Sequence, residues 1–508
     1  MTKQMNDQVK QTPDGRVELI NPQSITKSPL YNHDLAPVPI AARSWNSYNF
    51  AALWMSMSAC ITTYMLASGL IAKHMSWWQA LLTIFLGNVI VLIPILLNSH
   101  PGTKYGIPFP VFARAAYGTY GSNLPALMRA LVACGWFGIQ AWIGGQALNI
   151  LFGVLIPGWN SMSGEVEGHS LAAWISFAIF WTLNIAVVFR GMDLMKKLAS
   201  LAAPFVFIMT GALAYWAVNK ANGLGHILAR PTELNDWNSF MPLFIPSLTA
   251  MIGYWATLSL NMPDFTRFGQ SQQEQTVGQV VALPSAMTIY SGMGVLITSA
   301  ALIIYPKVPP EVLWDPVKLV GQFDDKWIVA LAMFTIVLAC LCVNAAANVV
   351  SPANDFANAF PKYISFSRGA LITGIIGICM QPWKLLSDAS AYIFVWLQGY
   401  SGGLGSIAGV LIVDYWIIRN KQLELPDLYL PGGVYKYSNG WNWRASIATV
   451  LGCIVAWIGA IPAAKEAMPF LGTLYEYAWF VGLGVSGLAY LALMLLDKPE
   501  YDQDEQTS

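Results

Sequence analysis

Residues 125–155 read PALMRALVACGWFGIQAWIGGQALNILFGVL, and beyond Arg129 they hold no Asp, Glu, Lys, Arg or His. An α-helix rises 1.5 Å per residue, so about 20 such residues cross the roughly 30 Å hydrocarbon core of a bilayer. A helix of a water-soluble protein keeps one polar face, and this one has none. Working outward from it, comparable apolar runs lie near 48–72, 77–98, 170–189, 198–219, 240–262, 277–305, 327–353, 369–386, 389–416, 445–464 and 476–496. The composition agrees: 56% of the 508 residues are hydrophobic, 11% are charged, and the mean hydropathy is +0.50. The expected fold is an all-α membrane protein with 12 transmembrane helices, leaving no length for a separate catalytic domain.

Charge gives the orientation. Lys plus Arg and Asp plus Glu number 27 each, so no global bias points to nucleic acid as a partner. If the N-terminus is cytoplasmic, 19 of the 27 Lys and Arg fall on its side, with Lys104, Arg114 and Arg129 in one short connection and Arg190, Lys196 and Lys197 in another. That asymmetry predicts a multi-pass protein of the cytoplasmic (inner) membrane with both termini inside. The polar first forty-odd residues lack a signal peptide's apolar segment. No phosphate-binding GxxxxGK[ST] loop is present, and His33, His74, His100, His169 and His226 sit in the tail, in loops or at helix ends. A nucleotide-driven pump and a redox centre are both disfavoured. The six cysteines (Cys60, Cys134, Cys340, Cys342, Cys379, Cys453) fall in apolar runs without metal-ligand spacing and read as small buried residues. No cofactor or metal is expected.

The interiors of the spans lack charge, which suggests a neutral cargo, since intramembrane charges usually face charged substrates or relay protons. Uncharged polar residues and tryptophan gather in four spans instead. The first has Ser56, Ser58, Cys60, Thr62 and Thr63; the third has Trp136 and Gln140, four apart on one face. The sixth has Gly253-Tyr254-Trp255, and the eighth has Cys340, Cys342, Asn344 and Asn348. An amide beside an indole suits a planar heterocycle with ring N–H and C=O groups, because stacking rewards the flat face and the amide penalises analogues that leave it unpaired. Two tryptophans on different helices are placed to sandwich such a ring. The competing reading makes most tryptophans, among them Trp77, Trp78, Trp159 and Trp314, an interfacial belt, and Ser, Thr and Asn bonds between helices. Gly253 among polar residues marks a candidate helix break over a cavity. Asp264 beside Arg267 reads as a structural ion pair, and Asp388 and Asp414 as helix-end residues.

Four stretches carry a family likeness: Pro101-Gly102-Thr103-Lys104-Tyr105-Gly106-Ile107-Pro108-Phe109-Pro110, Trp136-Phe137-Gly138-Ile139-Gln140, Asn261-Met262-Pro263-Asp264-Phe265-Thr266-Arg267-Phe268 and Asn344-Ala345-Ala346-Ala347-Asn348-Val349-Val350-Ser351-Pro352. In order and spacing the chain resembles the nucleobase–cation symporter-1 family, transporters of hydantoins, allantoin, uracil, cytosine and purines, from about residue 34 to about 445. The resemblance implies the LeuT-like fold: a cytoplasmic tail (1–44), two inverted five-helix repeats (45–225 and 226–418), a loop with two C-terminal helices (419–496) and a second tail (497–508). It implies discontinuous first and sixth helices, with the substrate near the membrane midplane between a bundle and a scaffold. Trp136 and Trp255 match the family's stacking indoles, Gln140 its third-helix amide and Asn348 its eighth-helix amide; Cys60 stands where other members have Gln, Asn or Gly, and Tyr254, where a smaller residue can occur, either narrows the pocket or leaves only its backbone in contact.

The family's sodium site matches Ser56, Ala59, Ala339, Cys342 and Val343. A thiol and a valine replace both hydroxyls there, and sodium wants oxygen ligands, so sodium coupling is doubted. With no carboxylate in a predicted interior, the coupling ion is left between proton and sodium, or transport is uncoupled. The expected function is import of a neutral planar nitrogenous heterocycle by alternating access, a uracil-like nucleobase favoured because Cys60 removes one amide, with hydantoin or allantoin the alternative. An intramembrane enzyme or a channel is the rival from another class, but neither a nucleophile and acid–base set nor a filter repeat is visible. The expected partners are the small-molecule substrate and the lipid bilayer, and a monomer is compatible with all of this.

Overall fold

A computed structural model of the chain describes residues 8–190, 192–229 and 232–496, with the side-chain surroundings of 192–203 and of Ala346 left out. The tail 497–508 and the side chains of Lys196 and Lys197 lie outside the described residues.

Among the described residues the regular structure is helical apart from two short hairpins, β1 (Val9–Gln11) with β2 (Val17–Leu19) and β3 (Glu165–Val166) with β4 (His169–Ser170). The first apolar run forms two helices, α1 (Ser47–Ser58) and α2 (Ile61–Ala72), bent by 56° at their junction. There follow α3 (Trp77–Tyr105), α4 (Phe109–Tyr117), α5 (Asn123–Leu155), α6 (Leu171–Phe189) and α7 (Met192–Lys220). The sixth run gives α8 (Trp237–Tyr254) and α9 (Ala256–Asn261), then come α10 (Gln272–Ile304), α11 (Lys326–Val343), α12 (Val350–Ala359), α13 (Phe366–Cys379), α14 (Gln398–Ile412), α15 (Trp443–Trp457) and α16 (Ala478–Leu496).

Among the described residues, eight helices are long and apolar enough to cross a membrane, nine counting the bent pair as one span. Twelve are expected from hydropathy. Two of the runs, the sixth and the ninth, fall short for local reasons. The sixth run is interrupted at Trp255. The ninth ends at Cys379 after 14 residues, just ahead of Gln381-Pro382, because proline disfavours helical geometry in the residue before it.

Small residues let the last span lie against α14. A Cβ on Gly409 would stand 2.3 Å from the Leu483 carbonyl oxygen, and one on Gly482 would stand 2.2 Å from that of Gly402. Within lipid, helices associate through such close backbone approach. Gly409→Ala is therefore expected to destabilise the protein by about 1–3 kcal/mol through overpacking, read as a lower melting midpoint in detergent; an unchanged midpoint refutes it.

The N-terminal segment folds across the end of the molecule where α3 and the α14–α15 connection meet. Arg43, 3% exposed, donates to the carbonyls of Val17, Val38, Thr103 and Lys104. Burial, which disfavours the charged form, pulls its guanidinium down to about 10, so it stays charged at neutral pH.

Several expectations are corrected. Trp314 is fully buried, stacked at 6.1 Å on Tyr392, and is no belt residue, whereas Trp78 is 48% exposed. Cys379 is exposed, while the other five cysteines are buried and all six are free. Asp264 does not pair with Arg267: its Oδ1 accepts from the Phe109 amide at 2.9 Å, and Arg267 donates to the Asp34 carbonyl. The buried ion pair is Arg129–Asp355, at 3.1 Å. Asp388 caps a helix start through the amides of Ser390 and Ala391, and Asp414 pairs with Arg419 at 2.7 Å, both helix-end roles as read.

Candidate functional site

The two helix breaks face the same space. At the first, Ala59 (φ −77°, ψ 63°) and Cys60 (φ −138°, ψ 159°) leave helical geometry, and the Cys60 amide donates back to Ser58. At the second, Trp255 (φ −105°, ψ 9°) separates α8 from α9. Irregular backbone at membrane depth is tolerated only where protein or a cavity satisfies it. Between the breaks lies a small cavity of about 30 Å³.

All six residues singled out from the sequence as substrate ligands, Trp136, Gln140, Trp255, Asn348, Cys60 and Tyr254, line this one cavity. Met57, Thr62, Thr257, Leu258, Val343 and Ala347 complete the lining, so its wall carries no charge. Gln140 Nε2 donates to Thr62 Oγ1 at 3.1 Å, while its Oε1 is buried without a partner. Trp255 Nε1 is likewise buried and unpartnered. The wall thus offers one free acceptor and one free donor, both desolvated, and each is costly to leave unmade.

Asn348 is held by its helix. Its Nδ2 donates to Asn344 Oδ1 at 2.9 Å, and Asn344 Nδ2 donates to the Phe137 carbonyl at 3.2 Å, tying the eighth span to the third. Residues Asn344–Val349 form a π-helical turn, a rare widening that recurs at functional sites and that the hydropathy pattern does not reveal.

The expected sandwich of two indoles is absent in this conformation. Tyr254 packs edge-on against Trp136 (5.2 Å, 85°) and against Trp255 (4.8 Å, 80°), standing in contact with both. Its hydroxyl lies 2.9 Å from Thr62 Oγ1, 2.9 Å from Thr63 Oγ1 and 3.1 Å from Cys60 Sγ. The side chain read as narrowing the pocket fills it, its hydroxyl engaged with the polar groups of the first break.

Of the five positions matched to a cation site, Ala59 is at the first break, Ser56 is half-buried on α1, and Ala339, Cys342 and Val343 are buried in the last turns of α11. Only Val343 reaches the cavity.

Sequence reading missed three features. Thr257 sits two residues past the break at Trp255, in the first turn of α9. Tyr400 accepts from Trp136 Nε1 at 3.3 Å; its one signal in the sequence is the four-residue spacing from Trp396. Asp355 lies two residues beyond the eighth apolar run, where charge ends a hydropathy window, although the helix continues to Ala359. There Asp355 and Arg129 are both essentially inaccessible, joined by Asn261, whose amide oxygen faces Arg129 Nη2 at 3.3 Å, and by Ser351, hydrogen-bonded to Asn261.

The chain is similar to known permeases over nearly its full length. It is 41% identical over 473 residues to the allantoin permease of Bacillus subtilis (strain 168), covering 92% of this chain and 94% of that one. It is 39% identical over 475 residues to the purine-uracil permease NCS1 of Arabidopsis thaliana, covering 92% and 78%. Its fold matches the closed, bromovinylhydantoin-bound structure of Mhp1, a nucleobase-cation-symport-1 family transporter, with a TM-score of 0.73 at 23% identity, over 92% of this chain and 96% of that one. The model of permeases for cytosine/purines, uracil, thiamine and allantoin matches residues 37–482, a span that takes in both helix breaks and every wall of the cavity, and the chain is therefore a multi-pass membrane transporter of the nucleobase–cation symporter-1 family, not an enzyme.

Proposed function

We propose that this transporter imports a neutral ureide ring of the allantoin or hydantoin type by alternating access, from an inner membrane with both termini in the cytoplasm. The observation that carries the reading is the uncharged cavity at the paired helix breaks, with Gln140 Oε1 and Trp255 Nε1 unpartnered. Allantoin presents N–H and C=O groups around a small flat ring, so it can offer a donor to the amide and an acceptor to the indole N–H. Sequence reasoning favours uracil, but the 41% identical relative is named an allantoin permease, which moves the preference to the alternative. A purine or uracil cargo is the second reading, favoured by the 39% identical purine-uracil permease. Trp136, Gln140, Trp255, Asn348 and Cys60 form the proposed ligand set, and Tyr254 withdraws to admit the ring. The fifth, sixth and ninth apolar runs complete twelve spans in two inverted repeats.

Reconstituted protein supplied with labelled allantoin, hydantoin, uracil and a purine is expected to take up allantoin or hydantoin with the lowest KM. Preferential uptake of a nucleobase overturns the ureide assignment, and uptake of none of the four overturns the site.

Coupling to sodium is not expected, because Cys342 and Val343 stand where the matched site needs hydroxyl oxygens. Replacing sodium by choline should leave substrate affinity within about twofold. A tenfold loss, about 1.4 kcal/mol of coupling, refutes this.

A further inference from the structure

The tenth span begins with a π-helical turn, Ala391–Leu397, before α14, and carries Tyr392 and Tyr400. Residues eight apart on a regular α-helix diverge by about 80° around the axis. A π-helical turn, with its i→i+5 bonding, advances less per residue and brings such positions back toward one face. The two hydroxyls accordingly reach both discontinuous helices. Tyr392 donates to the Thr62 carbonyl in the first turn of α2 at 3.1 Å, and Tyr400 donates to the Gly253 carbonyl in the last turn of α8 at 2.9 Å.

Tyr400 makes a second bond. Its oxygen accepts from Trp136 Nε1 at 3.3 Å, giving a continuous chain from the indole N–H of the third span, through a hydroxyl of the tenth, to the helix break of the sixth. Hydrogen bonds in such a chain polarise and strengthen one another. Gly253 permits it: a Cβ there would stand 2.6 Å from the Leu397 carbonyl oxygen, so the sixth segment rests directly on the backbone of the tenth.

The edge contacts of Trp136 with Tyr254 (5.2 Å), Trp396 (6.0 Å) and Tyr392 (6.3 Å) limit its sideways movement. They are apolar and do not select the direction of the indole N–H, and the tryptophan χ2 torsion is broad and roughly two-fold. The Tyr400 hydroxyl is the group that discriminates between the two orientations.

We infer that Tyr400 is a positioning residue of the substrate site, its hydroxyl fixing the plane of the Trp136 indole and tying that plane to the helix break at Gly253. The inference rests on the proposed role of Trp136 as a wall of the heterocycle site. A ring that stacks on Trp136 then meets a surface set in advance, and displacement of the sixth segment from the tenth releases it.

Tyr400→Phe keeps the aromatic packing and removes only the hydroxyl. In protein labelled with 5-fluorotryptophan, the ¹⁹F resonance that disappears in Trp136→Phe is expected to move in Tyr400→Phe without substrate, the resonances of tryptophans other than Trp396, which packs on the Tyr400 ring at 5.0 Å, holding still. The KM for uptake of labelled allantoin should rise about five- to tenfold, the worth of one buried hydrogen bond. In a Trp136→Phe background, which lacks the N–H, the added Tyr400→Phe change should cost less than twofold, whereas a purely structural role would persist there in full. A stationary Trp136 resonance, an unchanged KM in Tyr400→Phe, or full additivity in the double variant overturns the inference while leaving the site reading intact. Absence of heterocycle uptake by the unsubstituted protein overturns the site reading, and this role with it.

Discussion

Asp355→Ala is expected to lower stability by about 3–5 kcal/mol, more than any single change in the cavity wall, because it strands a buried guanidinium. Arg129 and Asp355 meet at 3.1 Å with side chains 1% and 0% exposed, on α5 and α12. Removing Asp355 takes away the carboxylate hydrogen-bonded to Arg129 and leaves the buried guanidinium only the more distant charge of Asp264, whereas replacing both partners with apolar side chains of similar volume removes the desolvation penalty as well. Arg129→Met combined with Asp355→Leu should therefore recover more than half of the loss. Thermal inactivation in detergent, followed by the fraction of monodisperse protein remaining, measures both. If Asp355→Ala matches the unsubstituted protein, Asn261 and Ser351 alone satisfy Arg129 and the pair is dispensable. The double variant also separates stability from transport: recovered stability without recovered uptake would give the charges a role in the cycle.

The second large effect is on binding. Trp136→Ala should weaken heterocycle binding by about 1–3 kcal/mol, the worth of stacking one planar ring on an aromatic side chain, or roughly five- to 150-fold. Substrate quenching of tryptophan fluorescence measures it, since indoles of the cavity wall are expected to report a stacked ring. Gln140→Ala should act differently. It removes the free acceptor but not the stacking surface, so substrates that donate to Gln140 should lose affinity while analogues lacking that donor should not. Equal loss for both kinds of ligand would mean that Gln140 supports the wall through Thr62 and does not touch the ring.

The walls of the site were legible because their residue types are anomalous where they stand. Trp136 and Gln140 share a helix face in a charge-free span, Asn344 and Asn348 repeat that spacing, and Gly253 interrupts a span beside Tyr254 and Trp255. Their assignment as one constellation came from resemblance to a family, since nothing in helical periodicity brings residues 60, 140, 255 and 348 together. The tryptophans separated less cleanly. Trp314 has the hydropathy context of a belt residue and is buried against Tyr392, because exposure depends on which helix lies beside it.

The sequence by itself determined that the chain is a helical membrane protein, that its cavity holds no charge, and which family it belongs to, because hydropathy and residue type act over one or two helical turns. Tertiary structure decided the rest. Arg129 and Asp355 are 226 residues apart, and Trp136 and Tyr400 are 264 apart. Whether such groups pair depends on helix packing, which also lets the helix of Asp355 run on past the charge that ends its apolar run. The same packing set Tyr254 against both indoles and against the hydroxyls of Thr62 and Thr63, so that little free space is left in the cavity. A buried polar group takes whichever partner the fold brings within about 3 Å, and that distance is a property of the assembled helices.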